Sequence, residues 1–259
     1  MDDAPALKTR LRSGSPAFGC WLEMNSPIAA EIVAQAGYDC VMIDREHGPA
    51  SIAEAIALMQ AVQGRDCTPL MRVPANDPVD IKRSLDAGIA GVMIPAVDSK
   101  AEAEAAVAAC RYPPRGRRGM AASIVRASDY GADWQDYVKR ADEDLLVICQ
   151  IESGAAVQNA AEIAAVEGVD MLFIGPFDLS ANLGHLGEPD HGSVRSAIAS
   201  VEEAAKAAGC LLGAIPTPGR SVEELLAAGY DLILVDADSM LLRDGARQSV
   251  ARLRQAFQR

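Results

Sequence analysis

At 259 residues, 50% of them hydrophobic, and with a formal net charge of −12, the chain is long enough to bury one full-sized core and too acidic to attract polyphosphate backbones. Its densest basic stretch, Arg111 to Arg118, is short and broken by prolines, so no nucleic-acid partner is expected. No window reaches the roughly 18 consecutive apolar residues of a membrane span, the opening MDDAPALKTRLRSGS lacks the layout of a signal peptide, and six dispersed cysteines without a CxxC pair fit reduced thiols, so a cytoplasmic protein without membrane contact is expected.

In chain order, short apolar runs alternate with alanine-rich stretches of helical periodicity. Phe18–Trp21 reads as a buried strand and precedes a helix over Pro27–Ala36. Cys40–Ile43 precedes one over Ile52–Gln63, Pro69–Val73 one over Pro78–Ala87, and Gly91–Ile94 one over Lys100–Cys110. The segment Arg111–Lys139 has no clear strand. It opens with Pro113, Pro114, Gly116 and Gly119 and later carries Tyr130, Trp134 and Tyr137, as expected of a long lid or subunit contact. Four further runs follow, Leu145–Ile151, Met171–Ile174, Leu211–Ile215 and Leu232–Val235, with helices over Val194–Ala208 and Ser221–Ala228.

Gly37, Gly88, Gly168, Gly209 and Gly229 stand where a left-handed helix cap would precede the next strand. Eight strands alternating with helices suit either an open sheet or a barrel, but Leu22-Glu23-Met24-Asn25 stands where an open sheet would carry its glycine-rich nucleotide loop. The expected fold is α/β, a single (β/α)8 TIM barrel over residues 1–259.

The polar residues are informative by position. Glu23, Asp44, Glu46, His47, Arg72, Gln150, Glu152, Asp178, Asp236 and Asp238 fall at or just beyond the C-terminal ends of the strands, where a parallel barrel builds its active site. Charges there are costly to desolvate unless paired or bound to a metal. Glu152 and Asp178 end neighbouring strands and are placed to share a hard divalent cation, with water and substrate oxygens completing the shell. His47 reads as a general base oriented by a carboxylate, with Asp44 and Asp86 as candidate partners. Arg72 offers a planar fork for a carboxylate or an enolate oxygen. The run Gly175-Pro176-Phe177-Asp178-Leu179-Ser180 looks like a strand passing into a helix start, whose free N–H groups favour a substrate carboxylate.

Other chemistries lack their residues. Lys8, Lys82, Lys100, Lys139 and Lys206 all fall away from strand ends, which disfavours an imine-forming aldolase. His185 and His191, in GHLGEPDHG, lack the i, i+4 spacing of a zincin, so a three-histidine zinc site is not expected. The sequence contains neither a nucleophile elbow nor a P-loop, and Pro216-Thr217-Pro218-Gly219-Arg220-Ser221 is a weak anion-site candidate.

The blocks IDREHGP at 43–49, LMRVPANDP at 70–78, RYPPRGRRG at 111–119, QIES at 150–153 and EGVDMLFIGPFDLSANLGHLG at 167–187 together resemble the HpcH/HpaI aldolases through nearly the whole chain. The resemblance implies a metal-dependent aldolase that makes or cleaves 4-hydroxy-2-oxo acids through a stabilised pyruvate enolate. It implies Glu152 and Asp178 as ligands of Mg²⁺, Mn²⁺ or Co²⁺, His47 with Asp44 as the acid/base pair, Arg72 as the clamp on the keto or enolate oxygen, and Gln150 as a polar orienter. Gly175, Pro176, Phe177 and Asp178 would meet the 2-oxo acid, with an aldehyde as the second partner. A homo-oligomer, hexamer or trimer, that exchanges its C-terminal helix is also implied. The chain departs from the family pattern at Arg45 and Gly48, and Arg45 is expected either to recruit a second substrate carboxylate or to lower the basicity of His47. A citrate-lyase-like acyl-CoA lyase and a metabolite-binding barrel without catalysis are the alternatives.

Overall fold

The computed structural model describes residues 6–257. Eight parallel strands close into one barrel in simple sequence order, each paired with its neighbours and β1 with β8. The strands are β1 (Ala17–Leu22), β2 (Cys40–Asp44), β3 (Thr68–Arg72), β4 (Gly91–Ile94), β5 (Leu146–Ile151), β6 (Met171–Ile174), β7 (Leu211–Ala214) and β8 (Leu232–Ala237). The helices are α1 (Leu7–Arg12), α2 (Pro27–Gln35), α3 (Ile52–Val62), α4 (Pro78–Ala87), α5 (Lys100–Cys110), α6 (Trp134–Asp144), α7 (Gly154–Ala164), α8 (Pro176–Asn182), α9 (Gly192–Ala208), α10 (Val222–Ala228) and α11 (Asp238–Phe257). The expected barrel is thus the observed one.

Local chemistry explains the helix boundaries. Ser51 and Ser221 each accept from the backbone N–H three residues on, while Glu54 and Glu224 return the bond, forming reciprocal caps on α3 and α10. Asp77 caps α4 through the N–H groups of Val79 and Asp80, and Pro78 fills its first helical position. Gly88, Gly209 and Gly229 end α4, α9 and α10 in the left-handed conformation.

The strands alternate between two cores. Outward residues such as Val41, Ile43, Met71, Cys149 and Leu172 pack beneath the helices. Inward residues, among them Cys40, Met42, Leu70, Ile148, Met171, Phe173, Leu232 and Leu234, fill the barrel. Helix α1 closes the N-terminal end: Leu7 and Leu11 join the inner cluster, each contributing about 1.5–3 kcal/mol by burial. Because side chains alternate with period 2, the inner row continues upward into Glu23, Asp44, Arg72, Gln150, Glu152, Gly175 and Asp236.

The long segment after α5 is more ordered than a loop. A 3-10 turn over Arg126–Gly131 leads into α6, and the Arg118 guanidinium is buried between Asp86, 2.8 Å away, and the Tyr112 and Tyr137 rings. Among the described residues, no helix is long and apolar enough to cross a membrane.

Candidate active site

A cavity of about 570 Å³ opens at the C-terminal mouth of the barrel. His47, Arg72, Gln150, Gly175, Pro176, Phe177 and Asp178 all line it. Asp44 and Glu152 stand behind this lining and hold parts of it in place.

Arg72 is the best-anchored group. The register pairs Asp44 on β2 with Arg72 on β3. The Arg72 Nε and Nη2 donate to the two Asp44 carboxylate oxygens at 3.0 and 2.6 Å. Nη1 lies 3.1 Å from Glu46 Oε2, an ion pair whose oxygen nonetheless lacks a hydrogen-bond partner and so sits off the donor axis. The Trp21 ring packs 4.4 Å from the guanidinium carbon and meets Phe173 edge-on. Burial alone would raise the Asp44 carboxyl, but the Arg72 fork and the N–H groups of Glu46 and His47 bring it below its ordinary value.

Asp44 is therefore committed to Arg72 and to the backbone of the following loop. It accepts the N–H of Glu46 at 2.9 Å and that of His47 at 3.3 Å, while the His47 imidazole, among the described residues, has no hydrogen-bond partner. The expected imidazole–Asp44 contact is replaced by a bond to the His47 backbone, which positions the residue and leaves its ring free in the cavity. Asp86, the other partner considered, pairs with Arg118 instead. Arg45 has its guanidinium 3.3 Å from Ser84 Oγ and 3.6 Å from Asp80 on α4 and does not line the cavity.

Glu152 is gripped from two sides. Its Oε1 accepts the Ala96 N–H at 2.8 Å, and its Oε2 accepts from Gln150 Nε2 at 2.5 Å. Ala96 adopts φ of 51°, a conformation that costs a non-glycine residue about 1–2 kcal/mol and here aims its N–H at the carboxylate. Burial pushes the Glu152 carboxyl up, the Ala96 N–H opposes that, and the charges of Glu46 and Asp178 raise it further. The Glu46 carboxyl is likewise raised, first by burial.

These features fit a cation. The charges of Glu46 and Asp178 raise the Glu152 carboxyl, those of Asp44 and Asp178 raise Glu46, and Arg72 opposes both, so this end of the cavity gathers carboxylates. Gln150 Oε1 is buried without a partner. A Cβ on Gly175 would lie 3.0 Å from Gln150 Nε2 and 3.1 Å from Glu152 Oε2, so glycine keeps this cradle open. Glu152 and Asp178 offer the oxygen donors that Mg²⁺ or Mn²⁺ takes. On the other side of Gly175, α8 starts without a side-chain cap, so the first-turn N–H groups of Phe177 and Asp178 are available to an anion.

Of the rest of the polar set, Glu23 and Asp236 also line the cavity, and Asp238 stands behind it. Asp238 takes the N–H groups of Glu23 and Met24 and ties α11 to the end of β1. Asp236 accepts from the Tyr38 hydroxyl at 2.6 Å, and Glu23 from Ser239 at 3.0 Å. The Pro216–Ser221 loop is closed to anions because Asp190 already takes the Thr217 hydroxyl and the Gly219 N–H. His185 and His191 do not join His47 but stack on one another in the α8–α9 loop. Pro216, Pro218 and Val235, in two stretches that depart from the family pattern, form the cavity wall with Met240, and sequence reading missed Trp21, Ala96 and Met240. For Trp21 the available signal was membership of a strand end. For Ala96, whose role is a backbone N–H, the sequence carries none.

The profile of the HpcH/HpaI aldolase/citrate lyase family matches residues 17–256. The chain belongs to the HpcH/HpaI aldolase family. It is 41% identical over 239 residues to the hydroxypyruvate/pyruvate aldolase of Chromohalobacter salexigens, covering 92% of this chain and 94% of the relative. It is 38% identical over 247 residues to the 4-hydroxy-2-oxo-heptane-1,7-dioate aldolase of Klebsiella pneumoniae subsp. pneumoniae, covering 95% and 93%. The crystal structure of an HpcH/HpaI aldolase/citrate lyase family protein from Burkholderia cenocepacia J2315 superimposes with a TM-score of 0.91 at 40% identity, over 96% of this chain and 98% of that one.

Proposed function

We propose that this member of the family is a divalent-metal-dependent pyruvate aldolase, a carbon–carbon lyase that cleaves 4-hydroxy-2-oxo acids to pyruvate and an aldehyde and catalyses the reverse condensation. The observation that carries this reading is the convergence on one cavity of a free imidazole, a carboxylate-anchored guanidinium and an uncapped helix start, with Glu152 held beside them. The relatives' names, aldolases of hydroxypyruvate or pyruvate and of a 4-hydroxy-2-oxo diacid, support it.

Bound by Glu152 and Asp178, Mg²⁺, Mn²⁺ or Co²⁺ would supply Lewis acidity toward the substrate's carboxylate and 2-oxo oxygens. The chain's own groups perform the remaining work. The Phe177 and Asp178 N–H groups bind the carboxylate, and Gly175 leaves room for it. Arg72, fixed by Asp44, directs its charge at the 2-oxo oxygen, where negative charge grows as the C3–C4 bond breaks. The His47 imidazole takes the proton of the C4 hydroxyl, directly or through one water. The C3–C4 electron pair stays with the pyruvyl half as its enolate, the aldehyde departs, and a proton returned to C3 completes pyruvate. Phe177, Pro216, Pro218, Val235 and Met240 form an apolar wall for the aldehyde portion. We further propose that the exposed C-terminal helix α11 packs on another copy in a homo-oligomer, hexamer or trimer; Asp238 is its only buried residue.

The test is pyruvate release, followed through a coupled lactate dehydrogenase assay, from a panel of 4-hydroxy-2-oxo acids in EDTA or with Mg²⁺, Mn²⁺ or Co²⁺. Metal-dependent release is the expected result. No release from any of them with metal bound would instead move the chain to acyl-CoA lyase chemistry or to metabolite binding without turnover.

A further inference from the structure

The loop joining α8 to α9 gathers three ligand-bearing side chains outside the cavity. His185, Glu188 and His191 each offer one ligand atom, and those atoms lie within 4.8 Å of one another. Two successive turns bring them together. The Glu188 N–H donates to the His185 carbonyl at 2.9 Å and the His191 N–H to the Glu188 carbonyl at 3.0 Å, so residues three apart return to one side of the loop. Gly184 and Gly187, at φ of 83° and 80°, make the bends.

The loop is braced around these residues. The His185 N–H donates to the Ser180 carbonyl at 2.7 Å, and the intervening Asp190 accepts the Thr217 hydroxyl at 2.6 Å and the Gly219 N–H at 2.8 Å. The two imidazoles stack with centroids 3.6 Å apart and 16° between their planes, so one ring turns for both to face a single ion. His191 Nδ1 lies 3.0 Å from Ser193 Oγ and 3.3 Å from the Ser193 N–H; in the tautomer that donates Nδ1–H to Oγ and gives up the bond from that N–H, Nε2 is left for a ligand.

We propose that His185, Glu188 and His191 form a second metal site, selective for Zn²⁺ and separate from the Glu152/Asp178 pair. Two imidazoles and one carboxylate are a borderline donor set that prefers Zn²⁺ to Mg²⁺ or Mn²⁺, and three protein ligands leave a coordination position for water. Bound Zn²⁺ fastens the connection that leaves α8, the helix whose first turn carries Asp178, to the start of α9.

The experiment uses the full chain carrying Glu152→Gln and Asp178→Asn, which silence the other donor pair. After dialysis against Zn²⁺ with excess Mg²⁺, elemental analysis should find about one Zn²⁺ per chain. Co²⁺ in place of Zn²⁺ should give the visible absorption of a nitrogen-ligated ion. Adding His185→Gln and Glu188→Gln should weaken Zn²⁺ binding at least about 10-fold, since removing a ligand costs no less than removing a group that orients one. Both changes leave His191 in place, and circular dichroism checks the fold. Should the silenced chain prove unstable, the wild-type chain should lose one of two Zn²⁺ equivalents on the same two substitutions. Zn²⁺ binding unchanged by them, or no Zn²⁺ retained by the folded silenced chain, overturns the proposal. Neither outcome bears on pyruvate release.

Discussion

Asp44 and Arg72 are neighbours in the β2–β3 register, both on the inner row of the barrel, and they meet in a two-point ion pair that reaches 2.6 Å. Asp44 is fully buried and Arg72 is 7% exposed, so neither charge is solvated if the other is removed. Replacing Asp44 by Asn should destabilise the fold by about 3–5 kcal/mol, the range for breaking a buried pair, and Glu46 offsets only part of that. The Asp44 carboxyl lies below its ordinary value of 3.8. Its contribution is therefore present above that value and is lost as pH falls through the lower, folded one. Urea titrations should show the gap between wild type and Asp44→Asn narrowing with acid, and a gap that does not change with pH would contradict the assignment.

His47 is exposed, and among the described residues its ring has no hydrogen-bond partner. His47→Ala should leave the melting temperature and Mn²⁺ affinity unchanged while lowering kcat by about 10²–10⁴-fold. A loss of Mn²⁺ binding would instead make His47 a ligand.

Glu152 carries a carboxyl raised above its ordinary value of 4.5. A raised group adds stability below that value and loses it as pH rises through the folded one. Without metal at pH 7, Glu152→Gln should therefore melt at a higher temperature than wild type. Mn²⁺ should raise the melting temperature of the wild type and leave the variant unmoved. Asp178→Asn should lose the Mn²⁺ response too, and full metal-dependent activity in either variant would remove the pair as ligands.

Much of this site was legible because strand parity and strand ends are sequence properties. Once Met42 and Leu70 are read as inward, Asp44 and Arg72 must be inward as well, and the same parity carries Gln150 and Glu152. Parity does not say which neighbour a carboxylate chooses. Asp44 was expected at the His47 ring, yet register set Arg72 beside it. Arg45 was expected at the cavity, but position 45 follows the inward Asp44, and its chain turns to α4. The meeting of His185 with His191 was illegible for another reason, since it depends on two successive turns rather than on a helical repeat.

Gly175 separates the two halves of the proposed site. A Cβ there would meet the Gln150 amide and the Glu152 side chain at 3.0–3.2 Å, which are movable groups rather than backbone. Gly175→Ala should thus cost the fold only about 1–3 kcal/mol. Displacing Glu152 should weaken Mn²⁺ binding by about 10–100-fold. Calorimetric titration with Mn²⁺ measures this, and unaltered affinity in a folded variant would mean that Glu152 does not bind metal beside Gly175.

Helix α11 carries an apolar stripe, Leu242, Val250, Leu253 and Phe257, at spacings that place these residues along one face, and all of them are exposed. A single chain has no reason to keep such a stripe in water, whereas a second copy would bury it. Leu242→Asp with Leu253→Asp should convert the oligomer to monomers in light scattering coupled to size exclusion, with the barrel's circular dichroism unchanged because the stripe contributes nothing to its core. A wild-type chain that already runs as a monomer would show that α11 is not exchanged, and pyruvate release by that monomer would show that the site functions without a partner.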